Sequence, residues 1–367
     1  MFRVQNYIFF VVAEKNVFLQ KKSSYMKIII DRNIPFIEGV FDGVCSVEYL
    51  PSAYIDHLSV KEADALIVRT RTKCDKALLL DTNIKMIATA TAGYEHIDMD
   101  FCRKAGIEVF VARGCNASSV AQYIGSVLAM WTAKKQLDVS TLTLGIVGYG
   151  FVGKAVEKMA NKLGVKVLVN DTPLEQSGVR HDFVSLSDIA EQCDIISFHT
   201  SLTNDGNFPT YHLADTAFFE RCAKRPLIVN AARGGVVDER AMAEAYRDGR
   251  IGGFTIDCWE GEPDINSHIL KEAFIATPHI AGYSADGKAN ATAMCINAIS
   301  EYFSLNGLAV QTKLSPKQTN MAKGSQLLRT LIQNYDIERD SINLKNNPER
   351  FEYFRNNYPE RRELELS

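Results

Sequence analysis

The sequence lacks a long apolar run, a block of like charges and a CxxC pair of cysteines. The early apolar run at residues 8–13 ends at Glu14 and is too short to cross a membrane. It is also not followed by the small-residue cleavage site of a secretory signal peptide. The formal net charge of −3 is spread along the chain, which argues against nucleic acid or an anionic membrane as the main partner.

The cysteines are scattered, and none has the spacing with histidine that is typical of a zinc site. In a chain of 367 residues, isolated cysteines are usually buried, reduced thiols. We therefore expect a reducing, cytoplasmic compartment and no bound metal. The eight cysteines are Cys45, Cys74, Cys102, Cys115, Cys193, Cys222, Cys258 and Cys295.

Short apolar segments alternate with helical patterns along most of the chain. The length and the 46% hydrophobic content are typical of a globular protein with two or three domains. Strands interleaved with helices predict mostly parallel α/β sheets. We predict strands at residues 27–30, 65–68, 86–90 and 109–111, and then at 142–147, 165–169, 195–199, 227–230, 253–257 and 274–276.

Three further segments differ from this alternation of short strands and helices. Residues 118–135 carry apolar side chains at helical spacing and predict a long, core-packed helix between two α/β units. Residues 1–25 precede the strand-like pattern that starts at Met26, and we interpret them as an extension outside the fold. Residues 306–367 are polar and aromatic, with too few aliphatic side chains to form a core alone, so we expect them to pack against another surface.

The clearest motif is a glycine pattern after the predicted strand at 142–147. Gly148, Gly150 and Gly153 form GxGxxG, in which the glycines allow a tight turn, close approach of a pyrophosphate and close helix packing. The pyrophosphate would lie on the N-terminus of the following helix. Asp171 ends the next strand, where a carboxylate can bind the adenosine ribose and repel a 2′-phosphate. The pattern therefore predicts NAD rather than NADP.

Three polar residues follow later strands of the same unit. Arg233, Glu262 and His279 each lie just after a predicted strand, at the sheet edge where open α/β sheets bind ligands. A histidine can take the hydroxyl proton of an alcohol, and a carboxylate can fix its tautomer and favour its protonated form. An arginine can hold a substrate carboxylate through two parallel hydrogen bonds. The set predicts oxidation of a hydroxy acid.

These motifs resemble the D-2-hydroxyacid dehydrogenase family. The resemblance covers residues 26 to about 302 and implies a flavodoxin-like substrate-binding domain and a doubly wound Rossmann NAD-binding domain joined by hinge helices. It implies that His279 is the acid/base, Glu262 its partner and Arg233 the carboxylate anchor. The expected boundaries are 26–117 plus 283–305 for the substrate domain, 118–282 for the NAD domain and 306–367 for a small α+β dimerisation segment.

Within the family, several segments are most similar to members that oxidise a phosphorylated 2-hydroxy acid as homodimers. They are residues 68–73, 89–93, 114–117, 259–264 and 279–288. By this resemblance Thr70, Thr91 and Tyr283 contact the substrate. The residues implied to contact NAD are Gly148, Gly150, Phe151, Val152, Gly153, Asp171, Thr200, Ala231, Ala232, Arg233, Asp257 and Gly282.

Two departures and two alternatives accompany this interpretation. The chain stops soon after Arg362, where the resemblance leads us to expect further strand sequence, and Gln122 stands where many relatives in the wider family have Glu. One alternative is a dehydrogenase of the same family that acts on another acid such as 3-phosphoglycerate. The other is an NAD-sensing corepressor, which binds peptide motifs rather than turning over a substrate.

Overall fold

The computed structural model of the chain describes residues 7–10, 18–21, 26–180, 182–306, 308, 314, 319–320, 322–359 and 361–366. The chain divides into two compact units, one formed by residues 1–112 with 291–313 and the other by residues 113–290 with 314–367. Each unit is built around a parallel sheet, so the predicted α/β class with two Rossmann-like domains is confirmed.

The first unit has a flavodoxin-like sheet. In its described part, five parallel strands are arranged in the order β4–β3–β5–β6–β7, which is 2-1-3-4-5 when counted from β3. The inner strands β5 and β6 are buried along their whole length, which is typical of parallel strands covered on both faces. The strands are β1 (Tyr7–Phe10), β2 (Phe18–Lys21), β3 (Lys27–Asp31), β4 (Ser46–Leu50), β5 (Ala65–Val68), β6 (Met86–Thr89) and β7 (Glu108–Val111).

Short helices connect these strands: α1 (His57–Val60), α2 (Lys76–Leu79) and α3 (Met99–Ala105), with a 3-10 turn at Ser52–Tyr54. Aspartates cap all three helices, because each side chain accepts backbone N–H groups of the first turn. Our prediction for residues 1–25 falls mostly outside the described residues. Within that stretch, β1 and β2 pair with each other in antiparallel fashion.

The second unit has a larger parallel sheet in the order β13–β12–β11–β10–β8–β9. A single parallel bridge between Val169 and Phe183 continues the sheet beyond β9, so a third strand is reduced to one residue. The strand order reverses between β8 and β10, which is where a doubly wound sheet binds its ligand. The strands are β8 (Thr143–Val147), β9 (Lys166–Asn170), β10 (Ile195–Phe198), β11 (Leu227–Asn230), β12 (Gly253–Ile256) and β13 (Ile275–Ala276).

The helices of this unit follow its strands. The predicted long helix at 118–135 is α4, and it is buried on most of its surface, including Val120, Ile124 and Trp131. Because α4 packs closely along α5, it belongs to the core of the second unit. The helices are α4 (Ala117–Lys135), α5 (Phe151–Leu163), α6 (Thr172–Gln176), α7 (Leu186–Gln192), α8 (Thr216–Glu220), α9 (Glu239–Arg247) and α10 (Ser267–Glu272), with a 3-10 turn at Val139–Thr141. Helix α11 (Ala285–Tyr302) begins in this unit and continues into the first, to which residues 291–313 belong.

The C-terminal segment covers the core of the second unit. Leu327 and Leu331 join the apolar cluster around α4, and an added Cβ at Gly125 would lie 2.9 Å from Leu331 Cδ1. Leu344 and Phe351 join the cluster on the other face of the sheet. These apolar side chains of the C-terminal segment therefore pack against the second unit of their own chain. The elements are β14 (Thr319–Asn320), α12 (Gly324–Asn334), α13 (Ile337–Asn346), α14 (Phe351–Asn356) and β15 (Glu365–Leu366), with a 3-10 turn at Pro348–Arg350.

Over the described ranges, no helix is both long enough and apolar enough to span a membrane. All eight cysteine side chains are free thiols, and six of the eight belong to buried residues.

Candidate active site

The glycine loop after β8 has the conformation that its sequence predicts. Gly148 has a φ of 94°, and an added Cβ would lie 2.8 Å from the carbonyl carbon of His199. An added Cβ at Gly153 would overlap the carbonyl oxygen of Gly148. Glycine is therefore required at both positions, first for the left-handed turn and then for packing of α5 on β8.

Gly150 differs from the other two glycines because an added Cβ would meet nothing within 4 Å. It precedes the first turn of α5, where no side chain caps the N-terminus, and Phe151 beside it is 63% exposed. Open space in front of uncapped N–H groups fits a bound pyrophosphate. When NAD is present, Gly150, Phe151 and Val152 would hold its phosphates.

Asp171 is held at the end of β9 by two backbone groups. Its carboxylate accepts the N–H of Tyr149 at 2.7 Å and the N–H of Leu174 at 3.1 Å. The first bond ties the aspartate to the glycine loop, and the second caps α6. A carboxylate can accept about four hydrogen bonds, so capacity for ribose hydroxyls remains. The sequence did not reveal the bond to the glycine loop.

The loop after β10 carries three buried polar atoms on His199 and Thr200. The Thr200 hydroxyl and both His199 ring nitrogens are buried and, among the described residues, make no hydrogen bond. Burial lowers the pKa of His199 to about 3, so its ring is neutral. Buried polar atoms are usually satisfied, so these groups at the strand-order reversal fit a site that a polar cofactor completes.

The structure brings Glu262 and His279 into direct contact. The His279 Nδ1 atom lies 3.0 Å from Glu262 Oε1 and 2.9 Å from Oε2, and both side chains are mostly buried. Glu262 Oε1 also accepts the backbone N–H of Trp259 at 2.8 Å. The carboxylate therefore fixes the imidazole with Nδ1 as the donor, and Nε2 is the nitrogen that can exchange a proton with a ligand.

Asp257 organises the loop on which His279 lies. It is fully buried, and its carboxylate accepts the Thr277 hydroxyl at 2.7 Å and the N–H groups of Ile280 and Ala281 at 2.8 and 3.0 Å. Burial raises the pKa of Asp257, while the His279 charge and these hydrogen bonds oppose the rise. His279 itself has a φ of 56°, an uncommon backbone conformation that this network holds in place.

The Arg233 loop is clamped to the Glu262 loop. Asn230 Nδ2 donates to the carbonyl of Arg233 at 3.0 Å and to the carbonyl of Cys258 at 3.2 Å. Gly234 lies so close to Trp259 that an added Cβ would overlap its carbonyl oxygen. Arg233 is half-buried, and its Nη1 atom donates to the carbonyl of Ala232 at 2.8 Å. Asn230 and Gly234 thus hold two predicted catalytic loops together.

The C-terminal segment reaches the loop of His279 and Tyr283. Arg361 donates to the carbonyl of Tyr283 at 3.0 Å and to that of Ala281 at 2.6 Å. Arg362 forms two hydrogen bonds with Asp286, at 3.0 and 3.1 Å. Both arginines therefore support the loop through their own chain. Gly282 packs against the side chain of Asn116, which leaves no room for a Cβ.

The other predicted substrate residues belong to the first unit. Thr70 is exposed just after β5. Thr91 follows β6, and its hydroxyl is 2.7 Å from that of Thr89 and donates to the carbonyl of Gly93 at 2.9 Å. Both therefore lie after the carboxyl ends of parallel strands, the edge at which such sheets bind ligands.

Comparison with known proteins gives the family. The model of the D-isomer specific 2-hydroxyacid dehydrogenase NAD-binding domain matches residues 116–281. Over 92% of this chain, the sequence is 44% identical to the erythronate-4-phosphate dehydrogenase of Bacteroides thetaiotaomicron, covering 97% of it. It is 36% identical to the enzyme of that name from Escherichia coli O127:H6, with 92% of each chain covered.

Solved structures show the same fold. NAD-bound 3-phosphoglycerate dehydrogenase of Entamoeba histolytica superposes with a TM-score of 0.64 at 24% identity, over 80% of this chain and 100% of that one. D-lactate dehydrogenase of Aquifex aeolicus, in complex with NAD and lactic acid, gives a TM-score of 0.60 at 23% identity, over 76% and 95% of the chains. The chain belongs to the erythronate-4-phosphate dehydrogenase family, within the NAD-binding D-isomer specific 2-hydroxyacid dehydrogenases.

Proposed function

We propose that this protein oxidises 4-phospho-D-erythronate to 2-oxo-3-hydroxy-4-phosphobutanoate with NAD, a step in the synthesis of pyridoxal 5′-phosphate. The observation that carries the proposal is the Glu262–His279 pair, clamped to the Arg233 loop in the unit that bears the glycine loop. The 44% identity with a relative of this name, over almost its whole length, supports the choice of substrate.

The reaction removes a proton from the hydroxyl oxygen and a hydride from the carbon of one secondary alcohol. His279 Nε2 takes the hydroxyl proton while the C2–H bond breaks, and the oxygen lone pair forms the carbonyl. NAD, when bound, accepts the hydride. Glu262 stabilises the imidazolium through Nδ1, and the proton then passes from His279 to solvent. In the reverse direction, protonated His279 is the acid.

The remaining roles concern orientation. We assign the substrate carboxylate to Arg233, whose planar guanidinium can make two parallel hydrogen bonds to it. Tyr283 accepts a hydrogen bond from Arg355 Nε at 3.3 Å, so its own proton is available for a substrate oxygen. Thr70 and Thr91 supply further hydroxyl groups, and Asp171 accepts the adenosine ribose hydroxyls.

We also propose a domain organisation, an oligomeric state and a compartment. Residues 26–117 with 283–305 bind substrate, residues 118–282 bind NAD, and residues 306–367 form a homodimer interface. Support for the interface comes from apolar side chains that the C-terminal helices expose, among them Ile342 and Tyr353, each about half exposed. Free thiols support a reducing cytoplasmic compartment.

The test is the appearance of NADH absorbance when NAD is mixed with a panel of acids. The panel contains 4-phospho-D-erythronate, 3-phosphoglycerate, D-glycerate and D-lactate. We expect the highest kcat/KM with 4-phospho-D-erythronate. A higher value with 3-phosphoglycerate would favour the other dehydrogenase, and NAD binding without turnover of any acid would favour a sensing role.

A further inference from the structure

An arginine from the C-terminal segment lies against the proposed catalytic pair. Arg355, on α14, has its Nη1 atom 3.6 Å from Glu262 Oε2, the oxygen that is 2.9 Å from His279 Nδ1. Its Nε atom donates to the Tyr283 hydroxyl at 3.3 Å. The Arg355 side chain is only 23% exposed, and Glu352 one helical turn away is 3.7 Å from its Nη1 atom. One guanidinium therefore joins Glu262, Tyr283 and Glu352.

We propose that Arg355 is a positioning residue of the dehydrogenase reaction: it shares the Glu262 carboxylate with His279 and limits how strongly that carboxylate favours the imidazolium. This inference rests on the proposed function and adds a residue that lies 76 positions from His279 in the sequence. It gives the C-terminal segment a part in the chemistry of its own chain, separate from any role in an interface.

The electrostatic argument follows from the sharing of one carboxylate. A carboxylate beside an imidazole favours the charged ring, and a cation beside that carboxylate opposes the effect. Besides His279, Arg355 is a cation that lies within 4 Å of the Glu262 carboxylate. The other charged or titratable groups around the pair are Asp257, Cys258, Arg233, Glu239, Glu260, Tyr283 and Glu352.

The bond to Tyr283 gives Arg355 a second function. Because the guanidinium has only donors, the phenol oxygen must accept and the Tyr283 proton is directed elsewhere. Arginine contacts Glu262 and Tyr283 through different nitrogens of one rigid, planar group. Lysine has a single ammonium group, which would have to contact both partners at once. Removal of the side chain should therefore affect His279 and Tyr283 together.

The test is the pH dependence of kcat/KM in both directions for the full-length wild type, Arg355→Met and Arg355→Lys. In the oxidation of 4-phospho-D-erythronate, the limb at acid pH reports loss of neutral His279. We expect Arg355→Met to move this limb upward by roughly 0.5–1 pH unit, the scale for losing a partly exposed neighbouring charge. In the reverse reaction the limb at alkaline pH should move upward by a similar amount, and Arg355→Lys should restore most of both shifts.

A matched control is Arg103→Met, which removes an exposed arginine from helix α3, outside the proposed interface segment. This variant should keep the wild-type profile. If Arg355→Met lowers kcat/KM equally at every pH, or leaves it unchanged, the proposed positioning role is overturned. Thermal melting shows whether Arg355→Met has a folding defect. If it has, the pH profiles of Arg355→Lys and Arg355→Gln replace that of Arg355→Met in the test. Absence of turnover in the wild type would instead overturn the proposed function.

Discussion

The side-chain amide of Gln122 donates to the backbone carbonyl of Leu364, at 2.9 Å, and so joins the core helix α4 to the residue that precedes β15. Gln122 is 4% exposed. Next to this bond, Glu363 accepts the hydroxyls of Ser119 at 2.7 Å and Ser284 at 2.9 Å. A carboxylate at position 122 would face a carbonyl and lie near another acid, which accounts for an amide at this position.

The first prediction concerns this contact. Gln122→Glu should reduce the free energy of unfolding by about 1–3 kcal/mol at pH 7, because a buried acceptor would face another acceptor. The loss should shrink at acid pH, where the protonated side chain can donate. Thermal melts between pH 5 and 8 test this, with Gln326→Glu on the exposed face of α12 as the control. Equal melting temperatures of Gln122→Glu and wild type at pH 7 would contradict the account.

The second prediction concerns the acid/base. His279→Asn should cut kcat by about 100-fold or more, the usual scale for losing a general base, and leave NAD affinity within a few-fold of the wild type. The reason is that Nε2 exchanges the substrate proton, whereas the His279 side chain is not among the proposed NAD contacts. Steady-state kinetics and NAD titration measure the two effects. Near-normal turnover of the variant would show that another group takes the proton.

The third prediction concerns cofactor choice. The Tyr149 and Leu174 N–H groups bind different oxygens of Asp171, so Asp171→Asn keeps an acceptor for one of them and removes the charge that would repel a 2′-phosphate. The ratio of kcat/KM with NAD to that with NADP should fall by about tenfold or more, as expected for loss of one charge-assisted contact. Comparable efficiencies with both cofactors in the wild type would refute the assignment of Asp171.

The fourth prediction concerns a buried acid beside the catalytic loops. Glu239 is 4% exposed, and desolvation raises its pKa from 4.5 to about 8, with the charges of Glu260 and Glu262 adding to the rise. The pKa of Glu239 is higher in the folded than in the unfolded protein, so the protonated side chain contributes to the free energy of unfolding. This contribution is fully present below about pH 4.5 and is lost as the pH rises through about 8. Glu239→Gln cannot ionise, so its stability relative to wild type should increase over this range.

The size of that effect should be on the order of 1–3 kcal/mol between pH 5 and 9. Denaturant unfolding at several pH values measures it. Glu244→Gln, on the exposed part of the same helix, is the control and should leave the pH dependence unchanged. A constant difference between Glu239→Gln and wild type across the range would mean that Glu239 is already ionised in the folded protein.

Most strands could be predicted because they are continuous apolar runs. The segment at residues 227–230 is buried at every position, and it was predicted with its observed bounds. By contrast, β4 was missed because Ser46–Leu50 is a partly exposed edge strand with no fully buried position. The third strand of the second unit could not be found either, since only Phe183 remains of it as a bridge to Val169.

The chemistry of the site shows a similar division. The placement of Arg233, Glu262 and His279 at one edge of the sheet was expected because each follows a strand, and parallel strands end at one edge. Arg355 and Arg361 could not, because they reach the Tyr283 loop from 72 and 78 residues further along the chain. Tertiary packing brings them there, and a local sequence pattern does not encode contacts at such separations. The same applies to the bond between Gln122 and Leu364.

The last prediction concerns the proposed homodimer. Ile342 on α13 is 51% exposed and Tyr353 on α14 is 53% exposed, although both belong to helices whose other faces are buried in the second unit. Truncation before this segment would uncover the core that Leu331 closes, so a point substitution is the better probe. Ile342→Glu places a charge that a dimer interface would have to desolvate.

Light scattering should give two chains for the wild type and one for the variant, with NAD affinity unchanged. Leu58→Glu, at an 81% exposed apolar position of the first unit, should remain dimeric. A wild type of one chain would refute the dimer, and a dimeric Ile342→Glu would exclude this face of α13 from the interface.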